Sequence, residues 1–396
     1  MKTFPTLCGT LAALALLNNL AARAQTPPAA PDFSAIAPKM QSFVDQNQIA
    51  GIVTLVATKD KILYENAVGT SDLTRKMQTD DIFWIASMSK PVTAVCAAML
   101  VDDGKLKWDD PVEKYIPEFK GLQRAGGATP SRPITLRDLL THTSGLGEYA
   151  TTQPHWTLEQ YARQIASQPA RFQPGTKWQY STAGLDCVGR VVEVASGMPF
   201  DQFMQKRLLD PLGMKDTSFW LTPETEKRYA HTYILDAKTN KLTETPIAYL
   251  YGTLPTDKQR PPLGGAGLFS TAQDMAHFYQ MALGGGTYNG KQILKPETLA
   301  EMTKNQIGTL MARPGMPWGC GFCVITDPAA FDANKPVSAN TFGHGGAFGT
   351  SSWADPARNI IYIQMLERDK FGNPDNSAMH IAFNQLATQA LASPQK

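Results

Sequence analysis

Apolar and polar residues follow different periodicities at the ends of the chain and in its middle. Near the N-terminus, apolar residues recur at helical spacing over residues 33–44, which predicts an amphipathic helix. Two β-rich runs follow at residues 52–57 and 62–68, and the polar residues 59–61 between them predict a hairpin. The N-terminal region therefore supplies one helix and two strands.

The middle of the chain, residues 87–300, is dominated by helical periodicities that Gly/Pro-rich loops interrupt. An apolar-periodic segment over residues 378–391 predicts a helix at the C-terminal end. Strand-like runs precede that helix over three segments, residues 318–325, 350–354 and 360–366. The two ends of the chain thus carry the same kinds of element.

This arrangement predicts an α+β fold. One antiparallel sheet is built from both chain ends and flanked by the terminal helices, and a large, mostly helical lobe is inserted between its halves. We assign residues 25–86 and 301–396 to the α/β lobe and residues 87–300 to the helical lobe. Clefts between lobes favour small-molecule sites, so we expect the functional site at this boundary.

Residues 1–24 have the pattern of a secretory signal peptide. Lys2 precedes an apolar run over residues 11–17, and Ala22-Arg-Ala24 forms a small-residue exit, so we expect cleavage after Ala24. The protein is then exported and periplasmic or secreted. A lipoprotein is the alternative, although Cys8 lies before the apolar run. The run is too short to span a membrane, and no later stretch is long enough.

The overall charge and the cysteines argue against several kinds of partner. A net charge of +2 without basic clusters gives no indication of nucleic-acid binding, and a small-molecule substrate is expected. Cys96 lies on an apolar helical face, where a thiol packs as a small hydrophobe. Cys320 and Cys323 form a C-x-x-C with no second cysteine pair or nearby histidine, so we predict structural cysteines and no metal site.

The chemistry centres first on Ser87-Met-Ser-Lys90, which follows an apolar run and opens a helix predicted to reach Val101. Residues three apart share one helix face, so the Lys90 amine is expected to approach the Ser87 hydroxyl. A serine hydroxyl needs such a base to become an effective nucleophile. The structural alternative is a helix N-terminal serine with an exposed lysine, and the same motif recurs at Ser393-Pro-Gln-Lys396.

Two further segments belong to the candidate site. Tyr180-Ser-Thr182 follows a Pro-Gly turn and precedes an apolar helix, which places a phenol at a loop–helix junction. The segment Phe342-Gly-His-Gly-Gly-Ala-Phe-Gly-Thr350 is rich in glycine, and glycine in strands often marks close approach of a ligand to the backbone. The alternatives are a packed tyrosine and a β-bulge.

Together and in this order, the three segments resemble the serine β-lactamases and penicillin-binding proteins. The resemblance is strongest to the class C enzymes and to the related esterases and D-amino-acid peptidases. That superfamily has S-x-x-K, Y-x-N and a K-T-G-like triplet, here Ser87 to Lys90, Tyr180 to Thr182 and His344 to Gly346. The resemblance implies a β-lactamase/transpeptidase-like fold and a serine hydrolase that needs no cofactor.

The resemblance also implies the roles of the residues. Ser87 is the nucleophile that forms an acyl-enzyme, and Lys90 and Tyr180 share the proton transfers, with the choice of base left open. The backbone N–H groups of Ser87 and Ala347 form the oxyanion hole. The glycines that precede Ala347, Gly345 and Gly346, keep the strand edge open to substrate.

Two positions depart from the superfamily pattern. Thr182 stands where the asparagine of Y-x-N is expected, which leaves only a hydroxyl for substrate contact. His344 replaces the lysine of K-T-G, so a permanent cation gives way to a group whose charge depends on its surroundings.

We therefore predict cleavage of small esters or amides through an acyl-serine intermediate ahead of efficient β-lactam hydrolysis. A β-lactamase or D-Ala-D-Ala carboxypeptidase is the first alternative. A penicillin-binding sensor that acylates without turnover is the second. Oligomeric state is not predicted.

Overall fold

The computed structural model describes residues 1–3, 30–72, 74–147, 153–310, 312–371 and 377–392. The predicted signal peptide lies outside the described residues apart from its first three positions, and the second S-x-x-K motif at residues 393–396 lies wholly outside them. Among the residues that are described, no helix has both the length and the apolar character needed to cross a membrane.

The strands and helices are numbered in chain order. The strands are β1 (Gly51–Ala57), β2 (Ile62–Gly69), β3 (Phe83–Trp84), β4 (Tyr233–Asp236), β5 (Lys241–Glu244), β6 (Phe269–Ser270), β7 (Thr287–Tyr288), β8 (Lys291–Gln292), β9 (Cys323–Ile325), β10 (Thr341–Gly345), β11 (Ser351–Asp355), β12 (Ile360–Met365) and β13 (Arg368–Asp369). The helices are α1 (Ile36–Asp45), α2 (Ser89–Asp102), α3 (Leu136–Leu140), α4 (Leu158–Ala166), α5 (Thr182–Ser196), α6 (Phe200–Met204), α7 (Asp210–Leu212), α8 (Pro223–Glu226), α9 (Ala272–Leu283), α10 (Pro296–Met302), α11 (Pro328–Asp332) and α12 (Ala378–Ala392).

The main sheet has six strands in the order β2-β1-β12-β11-β10-β9, and all neighbouring strands are antiparallel. The N-terminal hairpin supplies β1 and β2, and the C-terminal region supplies the other four strands. The two halves join where β1 pairs with β12, with Val53 opposite Met365. The predicted fold class, one antiparallel sheet assembled from both chain ends, is confirmed.

Both faces of this sheet are covered, which explains why all residues of β1 are buried. Successive strand side chains point to opposite faces. Ile52 and Val56 pack in the hydrophobic cluster that contains α1 and α12. Val53 and Leu55 join the larger cluster that extends through α2, α5 and α9. The terminal helices therefore cover one face, and the inserted part of the chain covers the other.

The inserted region is less uniformly helical than the periodicity suggested, because it also contains the short strands β4 to β8. The strand expected over residues 318–325 is reduced to β9. The preceding residues form a tight turn in which the Gly319 N–H donates to the Phe322 carbonyl at 2.9 Å. Gly321 adopts a φ of +80°, and a Cβ there would lie 2.4 Å from the Cβ of Ala94. The glycines thus let the turn pack directly on α2.

The predicted structural character of the cysteines agrees with their positions. Cys96, Cys187, Cys320 and Cys323 are all buried, and no disulfide links cysteines within the described ranges. Burial raises the pKa of the Cys96 and Cys320 thiols, that of Cys320 to about 12, which keeps both groups protonated.

Candidate active site

Ser87 lies where a strand meets a helix. Strand β3 pairs with β6, the chain turns through the 3-10 segment Ala86–Met88, and α2 begins two residues after Ser87. Ala86 adopts a φ of +46°, in the left-handed region that is unfavourable for a residue with a Cβ. This sharp turn leaves the Ser87 side chain half-buried at the start of α2, close to the predicted first helical turn.

Lys90 reaches back to Ser87 as the spacing predicted. Its Nζ lies 3.0 Å from Ser87 Oγ and donates a 2.7 Å hydrogen bond to the Gly265 carbonyl oxygen. The side chain is completely buried, with 0 % exposure. The alternative of an exposed surface lysine is therefore wrong.

Tyr180 joins the pair from the N-terminal end of α5. Its hydroxyl lies 2.8 Å from Ser87 Oγ, and the Lys90 ammonium lies 4.7 Å from the centre of its ring. Ser181 caps α5 by accepting the Gly184 N–H at 3.0 Å. The helix cap therefore fixes the backbone next to Tyr180, and a hydroxyl, an amine and a phenol from distant parts of the chain converge.

His142 packs against the ring of Tyr180 and hydrogen-bonds the backbone of the next residue. It is buried in the loop after α3, and its Nδ1 accepts the Ser181 N–H at 3.1 Å. Its ring lies 4.6 Å from that of Tyr180 and 4.7 Å from that of Trp318. Burial, with the charge of Lys90, lowers the pKa of His142 well below its ordinary value. His142 is thus a buried loop histidine that accepts a hydrogen bond from the backbone next to Tyr180.

The glycine-rich segment forms the end of β10 and a tight turn. The Gly346 N–H donates to the Thr350 carbonyl at 2.6 Å, and Ala347 is exposed in this turn. A Cβ at Gly346 would lie 2.0 Å from Thr350 Oγ1 and 2.7 Å from the Ile85 carbonyl. Only glycine allows this approach, which places the turn against the backbone just before Ser87.

His344 is a neutral group in this structure. It is 4 % exposed, and its Nδ1–H donates to the adjacent Gly345 carbonyl at 2.6 Å. Burial lowers the pKa of His344 to about 3, and the neighbouring Lys90 charge acts in the same direction. Because a carbonyl only accepts, Nδ1 holds the proton and Nε2 is the bare acceptor.

Thr182 is the first residue of α5 and is 4 % exposed. Its methyl group packs against Gly265, where a Cβ would lie only 2.6 Å away. The hydroxyl is buried, with no hydrogen-bond partner in the part of the chain that the structure describes. Its assignment as a substrate contact stays a prediction.

Two residues beside the site were not singled out from the sequence, Gly265 and Asp186. Asp186 is buried in α5, and its Oδ1 accepts the Gly265 N–H at 2.7 Å. A signal was present, since a carboxylate within the apolar run of residues 185–194 is unusual for a buried helix. No cluster of three or more potential metal-ligating side chains occurs within the described ranges.

Comparison with known proteins establishes the family. A family model described as Beta-lactamase matches residues 36–385. The chain belongs to the beta-lactamase family. It is accordingly a serine hydrolase with the fold of that family, as the order of the three motifs predicted.

Curated relatives within the beta-lactamase family differ in the reactions that their names state. Esterase EstB of Burkholderia gladioli is 32 % identical over 369 residues, which cover 84 % of this chain and 90 % of EstB. The D-alanyl-D-alanine-carboxypeptidase/endopeptidase AmpH of Escherichia coli K12 is 28 % identical over 324 residues, covering 79 % of this chain and 77 % of AmpH.

Solved structures of similar proteins agree with the fold. EstCE1, described as a hydrolase with promiscuous acyltransferase activity, superimposes with a TM-score of 0.75 at 26 % identity, covering 90 % of this chain and 97 % of EstCE1. Simvastatin synthase LovD from Aspergillus terreus has a TM-score of 0.74 at 21 % identity, covering 91 % and 98 % of the two chains. The second likeness concerns the fold alone.

Proposed function

We propose that this protein is an exported esterase that cleaves small carboxylic esters through an acyl-Ser87 intermediate. The observation that carries the proposal is the convergence on one oxygen: Lys90 Nζ lies 3.0 Å and the Tyr180 hydroxyl 2.8 Å from Ser87 Oγ. Both distances are within the reach that proton transfer requires.

In the acylation step, Ser87 Oγ attacks the ester carbonyl carbon and forms a new C–O bond. Its proton passes to the pair formed by Lys90 and Tyr180 and then to the leaving alcohol oxygen as the ester C–O bond breaks. In the deacylation step, water attacks the acyl carbon, the same pair accepts its proton, and Ser87 Oγ recovers a proton on release of the acid. Either Lys90 or Tyr180 can act as the base in this scheme.

The negative charge on the oxygen of the tetrahedral intermediate is stabilised by hydrogen-bond donors that are already in position before the reaction. We assign this role to the backbone N–H groups of Ser87 and Ala347. Ser87 lies at the start of a helical turn, where N–H groups lack partners within the helix. Ala347 is exposed in the turn that Gly346 places against the Ile85 backbone, two residues before Ser87.

The surroundings favour a neutral ester over a β-lactam. β-Lactams and D-alanyl peptides carry a carboxylate, and His344 is uncharged at neutral pH where the superfamily pattern has lysine. Thr182 presents no amide to an acylamino side chain, because it is a threonine and is buried. The relative EstB, named an esterase, agrees with this preference.

Parallel turnover measurements test the proposal. We expect a short-chain nitrophenyl ester to have a higher kcat/KM than a chromogenic cephalosporin or a D-alanyl dipeptide. Dominant cephalosporin or dipeptide turnover would establish the β-lactamase or carboxypeptidase alternative. Stoichiometric acylation without turnover of any of the three would establish the sensor alternative.

Export is tested separately with the chain of residues 1–396 expressed in a Gram-negative host. Cleavage of the signal peptide predicts a mature protein that begins at Gln25 and is recovered from the periplasm or the medium. A cytoplasmic product that retains residues 1–24 would contradict this part of the proposal.

A further inference from the structure

The backbone of Gly265 makes two hydrogen bonds, one to Lys90 and one to Asp186. Its carbonyl oxygen accepts the Lys90 ammonium at 2.7 Å, and its N–H donates to Asp186 Oδ1 at 2.7 Å. Asp186 is 2 % exposed. The chain of contacts therefore runs from a buried carboxylate through one glycine to the amine that lies beside Ser87.

The packing leaves no room for a side chain at Gly265. A Cβ at this position would lie 2.7 Å from the Thr182 carbonyl oxygen and 2.9 Å from Asp186 Oδ1. These distances are shorter than real Cβ contacts. The glycine thus sits directly on the first turns of α5, with Asp186 one helical turn after Thr182.

The charges fit this arrangement. The ammonium of Lys90 is fully buried, and a buried charge is costly unless it is paired or hydrogen-bonded. Burial raises the pKa of Asp186 to about 6, while the Gly265 N–H and the Lys90 charge act to lower it. The other titratable groups around this carboxylate are Tyr161 on α4, Tyr251 and Cys187.

We infer that Asp186 is a positioning residue for the reaction: it anchors Gly265 so that the Gly265 carbonyl holds the Lys90 amine beside Ser87, and its charge stabilises the ammonium. This inference rests on the proposed acyl-Ser87 mechanism. Asp186 acts through Gly265 and Lys90, whereas the side chains that hydrogen-bond Ser87 Oγ in the described structure are those of Lys90 and Tyr180.

Asp186→Asn tests the charge and Gly265→Ala tests the position. Asp186→Asn keeps the size and an acceptor for the Gly265 N–H. Loss of a nearby negative charge makes protons on neighbouring groups easier to remove, so the rising limb of kcat/KM against pH moves to lower pH.

Gly265→Ala displaces the carbonyl from Lys90, and kcat is expected to fall about 10- to 100-fold with KM changed less than about twofold.

Asp274→Asn is the matched control. Asp274, at the start of α9, is also a buried helical carboxylate whose pKa burial raises to about 6. Its Oδ2 accepts hydrogen bonds from the Asp216 backbone N–H and the Thr217 hydroxyl. The same change there alters stability and leaves the pH limb and the kcat of folded enzyme unchanged. Circular dichroism and thermal unfolding give the folded fraction of each variant.

The outcomes separate this inference from the mechanism on which it rests. Folded Asp186→Asn with an unmoved pH limb, or folded Gly265→Ala with wild-type kcat, would overturn the positioning role. If one variant does not fold, the other decides alone. Failure of wild-type Ser87 to react with a fluorophosphonate would overturn the acyl-serine mechanism itself. If the acyl-serine mechanism is right and only the positioning role is wrong, the fluorophosphonate still labels Ser87 in wild type and in both variants.

Discussion

The Tyr180 hydroxyl lies 2.8 Å from Ser87 Oγ, although 93 positions separate the two residues in the sequence. Helix α5 sets the position of the phenol and helix α2 that of the serine, and these helices pack against each other. The packing of the two helices therefore sets this distance, and the proposed mechanism requires the distance to be kept through both of its steps.

Tyr180→Phe is predicted to remove most of the activity with little change in stability. The variant keeps the ring contacts with His142 and Trp318 and loses only the hydroxyl. We expect kcat/KM for a nitrophenyl ester to fall about 100- to 10,000-fold, the contribution of a positioned proton-transfer group.

Tyr362→Phe is its control. The Tyr362 hydroxyl is hydrogen-bonded to Thr388 at 2.8 Å between β12 and α12, away from Ser87. It should retain wild-type kcat/KM. Equal losses in both variants, or full activity in Tyr180→Phe, would contradict a role for the Tyr180 phenol.

His344→Lys is predicted to destabilise the fold. The position is 4 % exposed and close to the Lys90 charge, so a second ammonium there is both buried and repelled. We expect the free energy of unfolding at pH 7 to fall by about 1–3 kcal/mol, measured by urea denaturation.

His231→Lys serves as the matched substitution. The His231 side chain is 38 % exposed and lies 3.0 Å from a Glu244 carboxylate oxygen, which an ammonium can also pair with. Stability should change by less than about 0.5 kcal/mol. A His344→Lys protein as stable as wild type would show that this position accommodates a cation.

Stability below pH 6.5 is predicted to depend on His380. Burial lowers the pKa of His380 to about 3, below its value of about 6.5 in the unfolded chain. Between these two pH values the unfolded chain binds a proton at His380 and the folded chain does not. The stability contributed by the neutral ring is present above pH 6.5 and is lost as pH falls from 6.5 towards 3.

His380→Gln removes this titration and keeps a donor for the Gly349 carbonyl, which His380 Nε2 contacts at 3.0 Å. Urea denaturation from pH 7 to pH 4 should show wild type losing stability relative to the variant by about 1.4 kcal/mol per pH unit below 6.5. Parallel pH dependences of the two proteins would refute the assignment.

The sheet was predictable from the sequence because its determinants are local. The β-rich runs at β1 and β2, and the strand-like runs at β11 and β12, specify strands that pair with one another in a single sheet. The 319–322 turn was not predictable, because it depends on the fit of Gly321 against Ala94 on a different helix.

In the candidate site, too, local features were predictable from the sequence and features that depend on tertiary contacts were not. The spacing of Ser87 and Lys90 on one helix face predicted their contact. The neutral state of His344 depends on its burial and on the Lys90 charge. The contact of Lys90 with Gly265 is made by a backbone carbonyl oxygen, which every residue has, so the residue type does not predict it. Those features arise only when separate segments are brought together.

The most direct test of the account is the site of covalent labelling. Intact mass spectrometry after fluorophosphonate treatment, followed by peptide mapping, should show one adduct on Ser87. Ser87→Ala should lose both the adduct and ester hydrolysis, whereas Ser393→Ala should lose neither. An adduct on another residue, or wild-type turnover by Ser87→Ala, would contradict the assignment of Ser87 as the nucleophile.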